Sequence, residues 1–185
     1  KPLFLVCVLL IITSAHICPI AIACSFQDEV FDSYPNGISL HGLNGWEGWD
    51  NNPAFTAYVT QDQFLSPPQS VDINGASDLI YPLCGSGGAW SYSAWQYIPS
   101  DFVSGSGPDL DGSFFVLLNR YPIDADPGTD DWSVQMQFDS NDGMLKVYHG
   151  NGLNTINVPY DTDRWVKIQV IVDTENDWTN IYYDD

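Results

Sequence analysis

Residues 165–173 read Trp-Val-Lys-Ile-Gln-Val-Ile-Val-Asp, and hydrophobic and polar side chains alternate along most of this stretch. Successive side chains of a β-strand point to opposite faces. A period of two therefore predicts a strand with one face on a core and the other in water or over a groove. The predicted core face carries Val166, Ile168, Val170 and Val172, and the other face carries Lys167, Gln169 and Asp173.

Two further stretches predict strands of different kinds. Residues 114–118, Phe-Phe-Val-Leu-Leu, are apolar on both faces, which is typical of a central strand covered on both sides. Residues 132–138 alternate instead, with one face apolar and the other polar. The apolar face carries Trp132, Val134, Met136 and Phe138, and the polar face carries Ser133, Gln135 and Gln137.

Short runs of this kind recur after residue 27, separated by Gly, Pro, Asn and Asp, without a convincing amphipathic helix. Many short strands with turn residues between them predict an all-β, antiparallel sandwich or barrel. Because the chain stops at residues 182–185, in the middle of a probable strand, we interpret it as a fragment of a longer protein. The predicted strands are 30–33, 54–61, 70–73, 78–83, 89–98, 113–120, 131–138, 144–149, 155–158, 164–173 and 179–184.

The N-terminal segment differs from the rest, since residues 3–12 are apolar and no charged residue lies between Lys1 and Asp28. An apolar run behind a basic residue, followed by small residues, is typical of an export signal. We predict a signal segment at residues 1–23, cleaved after Ala-Ile-Ala or after the earlier Thr-Ser-Ala, and a secreted or cell-surface location. Two alternatives stay open: a lipoprotein signal with Cys24 lipidated, and an uncleaved membrane anchor.

The chain is strongly acidic, with 24 acidic and 5 basic residues and a net charge of −19 at pH 7. Phosphate binding needs clustered Lys and Arg, so nucleic acid is excluded as a partner. Anionic lipid surfaces and sulfated glycans are disfavoured for the same reason, and the predicted membrane contact is through the N-terminal segment alone. Outside the cell Cys24 and Cys84 could form one disulfide, but the sequence does not establish their pairing.

Five motifs resemble those of a known family. They are residues 31–34, Phe-Asp-Ser-Tyr; 45–50, Gly-Trp-Glu-Gly-Trp-Asp; 90–102, beginning Trp-Ser-Tyr-Ser-Ala-Trp-Gln-Tyr; 131–135, Asp-Trp-Ser-Val-Gln; and 163–168, Asp-Arg-Trp-Val-Lys-Ile. Together they are similar to concanavalin A-like, laminin G-type jelly-roll domains of exported bacterial and archaeal surface proteins. The resemblance covers residues 28–185. It implies a two-sheet jelly roll with a concave face, truncated at its C-terminal strand or strands, with further domains in the same polypeptide.

Aromatic residues are abundant, with 7 Trp, 10 Tyr and 9 Phe, and exposed rings stack on the apolar faces of sugars. In residues 91–97 the alternation puts Trp95 and Tyr97 on one face. We predict that this face looks out over the concave sheet, near the glutamines of residues 132–138, and binds a neutral glycan or an extracellular protein. The inverted assignment, with Trp95 in the core, stays open. The candidate ligand-binding residues are Trp95, Tyr97, Gln135, Gln137 and Arg120.

An acidic loop provides candidate metal ligands. Asp124, Asp126, Asp130 and Asp131 supply four carboxylates close together in sequence. Calcium takes about six to eight oxygen ligands, and laminin G-type domains often hold one calcium ion at the rim of the sandwich. One Ca²⁺ is therefore a candidate cofactor, with ordinary solvated turns as the alternative.

The sequence favours binding over catalysis. A glycosidase needs two flanking carboxylates, and Glu47 and Asp50 lie in a glycine-broken loop where two Trp rings are expected to pack. We predict a non-catalytic carbohydrate-binding or adhesion module, with an extracellular polysaccharide hydrolase or lyase and a structural spacer domain as alternatives. The residues that could serve a lyase are Arg120, Gln135, Lys146, Tyr148 and His149, although His149 falls on the opposite strand face from Lys146 and Tyr148.

Overall fold

The computed structural model describes residues 9–13, 28–84, 87–103, 112–121, 131–149 and 154–184, with the backbone alone for 9–13, 84, 119–120 and 131–132. This part of the chain is all-β, and its helical content is two short 3-10 turns, Trp49–Asn51 and Pro53–Phe55. Its strands are β1 (Leu9–Thr13), β2 (Glu47–Gly48), β3 (Tyr58–Thr60), β4 (Ser70–Asp72), β5 (Leu79–Cys84), β6 (Ala89–Tyr97), β7 (Ser113–Arg120), β8 (Asp131–Asp139), β9 (Met144–His149), β10 (Asn154–Pro159), β11 (Trp165–Asp173) and β12 (Trp178–Tyr183).

These strands form a large sheet, a small sheet and a two-stranded ribbon. The large sheet has the order β10-β9-β8-β7-β1-β5-β2, the small sheet has the order β12-β11-β6, and β3 pairs with β4. The pairings of β1 with β5 and β7 are parallel, and the other pairings are antiparallel. The inner faces of the large and small sheets share one core, which is consistent with a β-sandwich.

The two strands with the clearest alternation supply the centre of this core, β8 from the large sheet and β11 from the small one. Burying one large aliphatic side chain stabilises a fold by about 1.5–3 kcal/mol. A slip of one residue would expose the whole apolar set of either strand, so burial fixes the register. The buried apolar residues of these strands are Val134, Met136, Phe138, Val166, Ile168, Val170 and Val172.

Strand β7 is covered on both faces, which confirms the central strand predicted from residues 114–118. Phe115 and Leu117 belong to the main core. Val116 and Leu118 face the other way and pack in a second apolar cluster with Ile80 of β5. The part of the large sheet's outer surface that lies over β5 and β7 is therefore covered by this second cluster and does not face water.

The strands predicted after residue 69 are confirmed to within one residue at each end. Nearer the N-terminus, the strand predicted at residues 30–33 is wrong, and the strand predicted at residues 54–61 is confirmed only over Tyr58–Thr60. Residues 30–33 form a turn because Phe31 has a positive φ of 62° and its N–H donates to Glu29 Oε1 at 2.7 Å. Residues 54–61 begin with a 3-10 turn, capped by Asn52, whose side chain accepts from the Ala54 N–H at 3.0 Å. In both places a local side-chain acceptor competes with strand pairing.

Part of the predicted signal segment is itself a strand, since Leu9–Thr13 lie between β5 and β7 in the large sheet. Residues 14–27, with the predicted cleavage site at 21–23 and Cys24, lie outside the described residues, and the side chain of Cys84 is not described. The signal segment and the disulfide therefore stay predictions. Within the described ranges, no helix has the length and apolar character to cross a membrane.

Candidate functional site

The outer surface of the small sheet is rich in aromatic and neutral polar side chains, and we call it the tryptophan face. The register of β6, β11 and β12 places these side chains on the side of the sheet away from the core. Two members, Lys167 and Asp173, carry opposite formal charges, so the face is net neutral on a chain of net charge −19. Its members are Ala89, Ser91, Ser93, Trp95, Tyr97, Trp165, Lys167, Gln169, Ile171, Asp173, Trp178, Asn180 and Tyr182.

Trp95 projects from this face because the residues on either side of it point into the core. Ala94 is 8% exposed and Gln96 is 2% exposed, whereas Trp95 is 45% exposed. The structure thus places the indole outward, in the orientation that strand alternation predicts, and the inverted assignment is wrong. An aromatic ring left this exposed on the outer surface of a sheet is available for contact with a ligand.

A pair of rings stands next to Trp95. Tyr97 and Trp165 are opposite each other on β6 and β11, with ring centroids 5.7 Å apart and ring planes at 54°. Burial raises the pKa of the Tyr97 phenol, and the nearby Asp163 carboxylate raises it further. The hydroxyl therefore stays protonated at neutral pH and can donate a hydrogen bond.

Asp163 belongs to the loop at this end of the sheet. Its backbone has a positive φ of 57°, and its Oδ1 accepts from the Ser100 N–H at 2.8 Å. Hydrogen bonds from Ser100 lower the pKa of this carboxyl group. The loop is thus fixed beside the ring pair by a carboxylate that is already hydrogen-bonded.

Amide, hydroxyl and ammonium groups form the middle of the tryptophan face. Gln169 Nε2 donates to Ser91 Oγ at 3.0 Å, and Lys167 Nζ donates to Gln169 Oε1 at 3.4 Å. Ser93 and Tyr182 lie directly beside Gln169 on the two neighbouring strands. Groups of this kind can exchange hydrogen bonds with sugar hydroxyls, and their mutual bonds hold them in place before a ligand arrives.

Trp178 stands at the opposite end of the face, 42% exposed and directly across from Asp173. Asp173 is bound into the turn between β11 and β12, where its Oδ1 accepts the N–H groups of Glu175 and Asn176, each at 3.0 Å. The Asn176 side-chain amide donates to Oδ2 at 2.8 Å. These bonds, those of Asn176 first, lower the pKa of Asp173, so the carboxylate is ionised at neutral pH.

The structure does not bring Gln135 and Gln137 to the tryptophan face. Both lie on β8 of the large sheet, where they alternate with core residues and therefore point away from the core on the side opposite Trp95. Gln137 is 8% exposed, and its Oε1 accepts from the Tyr148 hydroxyl of β9. Alternation predicts which face of a strand points outward, but it does not predict which sheet the strand joins.

Lys146 lies beside Gln137 on the outer side of the large sheet and is held by two carboxylates. Its Nζ bonds to Asp139 Oδ2 and, at 2.9 Å, to Asp142 Oδ2. These hydrogen bonds raise the pKa of Lys146. Burial favours a higher pKa for Asp139, but the bonds from Lys146 and Asn141 outweigh it and lower that pKa. The ammonium charge is thus already neutralised, which disfavours its use by a lyase to stabilise a uronate.

The remaining candidates of the sequence are only partly described. Arg120 ends β7 opposite Asp131 of β8, and the structure gives the backbone alone for both. Asp124, Asp126 and Asp130 lie outside the described residues, so the calcium site stays a prediction. Among the side chains that the structure does describe, no group of three or more His, Cys, Asp or Glu could hold a metal ion.

The loop that carries Glu47 is held in place by the packing of its two tryptophan rings. Trp46 is 3% exposed in the main core, and the Trp49 ring meets Tyr121 edge-on at 5.1 Å. A Cβ on Gly48 would lie 2.3 Å from the Asn52 carbonyl oxygen, so the loop can close only around a glycine at this position. Burial raises the pKa of Glu47.

Sequence reasoning does not select three aromatic members of the tryptophan face, namely Trp165, Trp178 and Tyr182. The sequence does contain a signal for Trp165, because it lies two residues before Lys167 and four before Gln169 and so shares their outward face of β11. The other two lie on β12, whose register against β11 depends on the folded sheet. Cross-strand neighbours cannot be read from the alternation of one strand alone.

Comparison with known proteins gives no significant match to the chain, whether with protein-family models, with curated proteins or with solved structures. The resemblance to laminin G-type domains therefore stays a prediction from motifs. Function has to be argued from the chemistry of the site.

Proposed function

We propose that the tryptophan face binds a neutral glycan and that the chain is a non-catalytic carbohydrate-binding module of an exported, multidomain protein. The observation that carries this proposal is Trp95, an indole 45% exposed on a face that also carries hydroxyl and amide groups. A pyranose ring has an apolar face of C–H groups and a rim of hydroxyls. An exposed ring beside convergent polar groups is complementary to both features.

Charge supports a neutral ligand over an acidic one. The cation of the tryptophan face, Lys167, already bonds to Gln169, and the face as a whole is net neutral because it also carries Asp173. The chain as a whole has a net charge of −19, and its field repels uronates and sulfated sugars. An uncharged polysaccharide avoids this repulsion and still uses the ring and the amides.

The state of the nearby carboxylates supports binding without catalysis. A glycosidase needs one carboxyl group that stays protonated as a general acid and a second carboxylate across the scissile bond. Asp173 and Asp163, at the two ends of the sheet, both have lowered pKa values and are engaged in hydrogen bonds. Neither is suited to donate a proton at neutral pH.

We further propose that residues 28–185 form a laminin G-like jelly roll behind an N-terminal signal segment at residues 1–23. The all-β content, the two sheets on one core and the strand positions after residue 69 support this assignment. Trp46 of the motif at 45–50 supports it as well, since the ring is a core residue. A secreted or cell-surface location belongs to the same proposal.

The experiment is affinity electrophoresis in gels that contain soluble neutral polysaccharides, including β-glucan, xylan, mannan and galactomannan. We expect at least one of them to retard the protein, and Trp95→Ala to weaken this binding about tenfold, or roughly 1.4 kcal/mol. Phe64→Ala is the matched control, because that ring is 41% exposed but lies outside the tryptophan face. Equal retardation of Trp95→Ala and wild type, or no retardation by any neutral polysaccharide, contradicts the proposal.

A further inference from the structure

We infer that the tryptophan face binds an extended stretch of a neutral polysaccharide chain, with Trp95 and Trp178 as contacts at the two ends of the binding path. The inference rests on the proposed glycan-binding function and adds the length of ligand that the site takes. Both indoles belong to the same face of the small sheet, and they are 45% and 42% exposed.

The register of the three strands determines the distance between the backbone positions of these two tryptophans. Trp95 lies opposite Lys167, and Trp178 lies opposite Asp173, six positions further along β11. At roughly 3.4 Å per residue the separation along the strands is about 20 Å, and two strand spacings of roughly 4.8 Å add to it across the sheet. One sugar ring cannot contact both tryptophans, whereas a chain of several sugars can.

The surface between the two rings suits such a chain. Gln169 and Ile171 lie on the central strand along this path, and Tyr182 and Asn180 lie beside them on β12. All four side chains are uncharged, and together they offer amide, phenol and aliphatic surface. The charged members Lys167 and Asp173 flank this stretch, each directly beside one of the tryptophans. A neutral chain can therefore lie along the path without crossing an unpaired charge.

The two tryptophans have unequal roles in this arrangement. Trp95 stands beside the Tyr97–Trp165 ring pair, so its end of the path is the richest in aromatic surface. Trp178 is the first residue of β12, next to the turn after β11, and lies away from that pair. A short ligand should use the Trp95 end alone, and only a longer chain should reach Trp178. Ligand length thus becomes the variable that separates the two contacts.

The test is isothermal titration calorimetry with ladders of neutral oligosaccharides, from two to eight sugars, made from β-1,4-linked glucose, xylose and mannose. Wild type, Trp95→Ala and Trp178→Ala are compared, with circular dichroism to verify folding. For the oligosaccharide series that binds, we expect affinity to rise with length and then level off. Trp178→Ala should lose about tenfold in affinity for the longest ligand and little for the shortest, whereas Trp95→Ala should lose affinity for both.

Trp178→Phe serves as the conservative control and should retain most of the affinity for the longest ligand, because a flat ring remains. Binding that is independent of length, or an unchanged affinity of Trp178→Ala for the longest ligand, overturns the extended path and leaves the proposed function standing. An absence of binding by every oligosaccharide and polysaccharide overturns the path and the proposed function together.

Discussion

Trp95 and Lys167 lie directly opposite each other on β6 and β11, so the most exposed indole of the tryptophan face has the cation of that face beside it. A cation next to an exposed ring could indicate a site for acidic sugars. Lys167 Nζ, however, bonds to Gln169 Oε1 at 3.4 Å, and Asp173 at the other end of the strand makes the face net neutral. The ammonium group of Lys167 therefore helps to hold the Gln169 side chain in position.

This relationship predicts how binding responds to charge. Lys167→Gln should change the affinity for a neutral glycan by less than about threefold, because a half-buried charge that already bonds to Gln169 contributes little to contact with an uncharged ligand. Titrations at low and high salt should give the same affinity for the wild type. A loss of tenfold or more in Lys167→Gln, or binding that weakens steeply with salt, would show that the Lys167 charge contributes to binding and would contradict this prediction.

Gln96 should be a destabilising residue of the core. It is 2% exposed, and neither of its amide atoms has a hydrogen-bond partner among the described residues. Replacing a buried, unpartnered amide with an apolar side chain of similar length removes a desolvation penalty of about 1–3 kcal/mol. Urea unfolding should therefore show Gln96→Met to be more stable than wild type.

Gln69 provides the matched control for this prediction. It is 4% exposed, but its Nε2 donates to the carbonyl oxygens of Phe31 and Tyr34 at 2.8 and 2.5 Å. Gln69→Met should therefore lower the free energy of unfolding, by about 1–3 kcal/mol, since one buried and one half-buried carbonyl oxygen lose their donor. If Gln96→Met loses stability in the same way, its amide has a partner such as a buried water, and the prediction is wrong.

The Asp139–Lys146 pair should make stability depend on pH in the acid range. The folded-state pKa of Asp139 is lowered, so its contribution is complete above the unfolded pKa of about 4 and is lost as pH falls through the folded value. Asp139→Asn should be less stable at pH 7 and should lose less stability than wild type between pH 4 and pH 2. Urea unfolding across this range tests the prediction, with the exposed Asp28→Asn as control. Equal acid slopes for wild type and Asp139→Asn would contradict it.

Strand β10 should promote self-association. It is an edge of the large sheet, its sequence Asn-Thr-Ile-Asn-Val-Pro has no charge, and Ile156 is 58% exposed. Uncharged edge strands with exposed apolar residues are templates for pairing with another chain. Ile156→Lys should therefore lower light scattering at high protein concentration. Val103→Lys is the control, because Val103 is 73% exposed but lies outside the strands, and an equal effect of both substitutions would contradict the edge-pairing account.

Strand positions could be predicted from the sequence because alternation and turn residues act over a few neighbouring positions. The bounds of β7 and β9 agree with the prediction at both ends. The prediction at residues 30–33 is wrong because the Glu29 side chain accepts from the Phe31 N–H and stabilises a turn. Such a contact depends on one side-chain rotamer, and the hydrophobic pattern carries no information about it.

The composition of the candidate site could be predicted only in part. The outward orientation of Trp95 follows from the alternation of β6, a local property. Its separation from Gln135 does not, because β6 pairs with β11 whereas β8 pairs with β7 and β9. These pairings join residues far apart in the chain, and the choice of partner is a property of the folded core. Trp178 enters the face through the same long-range register.

The most direct test of glycan binding at the tryptophan face is an NMR titration of the isotope-labelled protein with the neutral oligosaccharide that binds best. We expect chemical-shift changes at the indole N–H groups of Trp95 and Trp178 and at the backbone amides of β6, β11 and β12. Changes confined to Gln135, Gln137 and Tyr148 on the opposite side of the sandwich, or no changes at saturating ligand, would contradict the account.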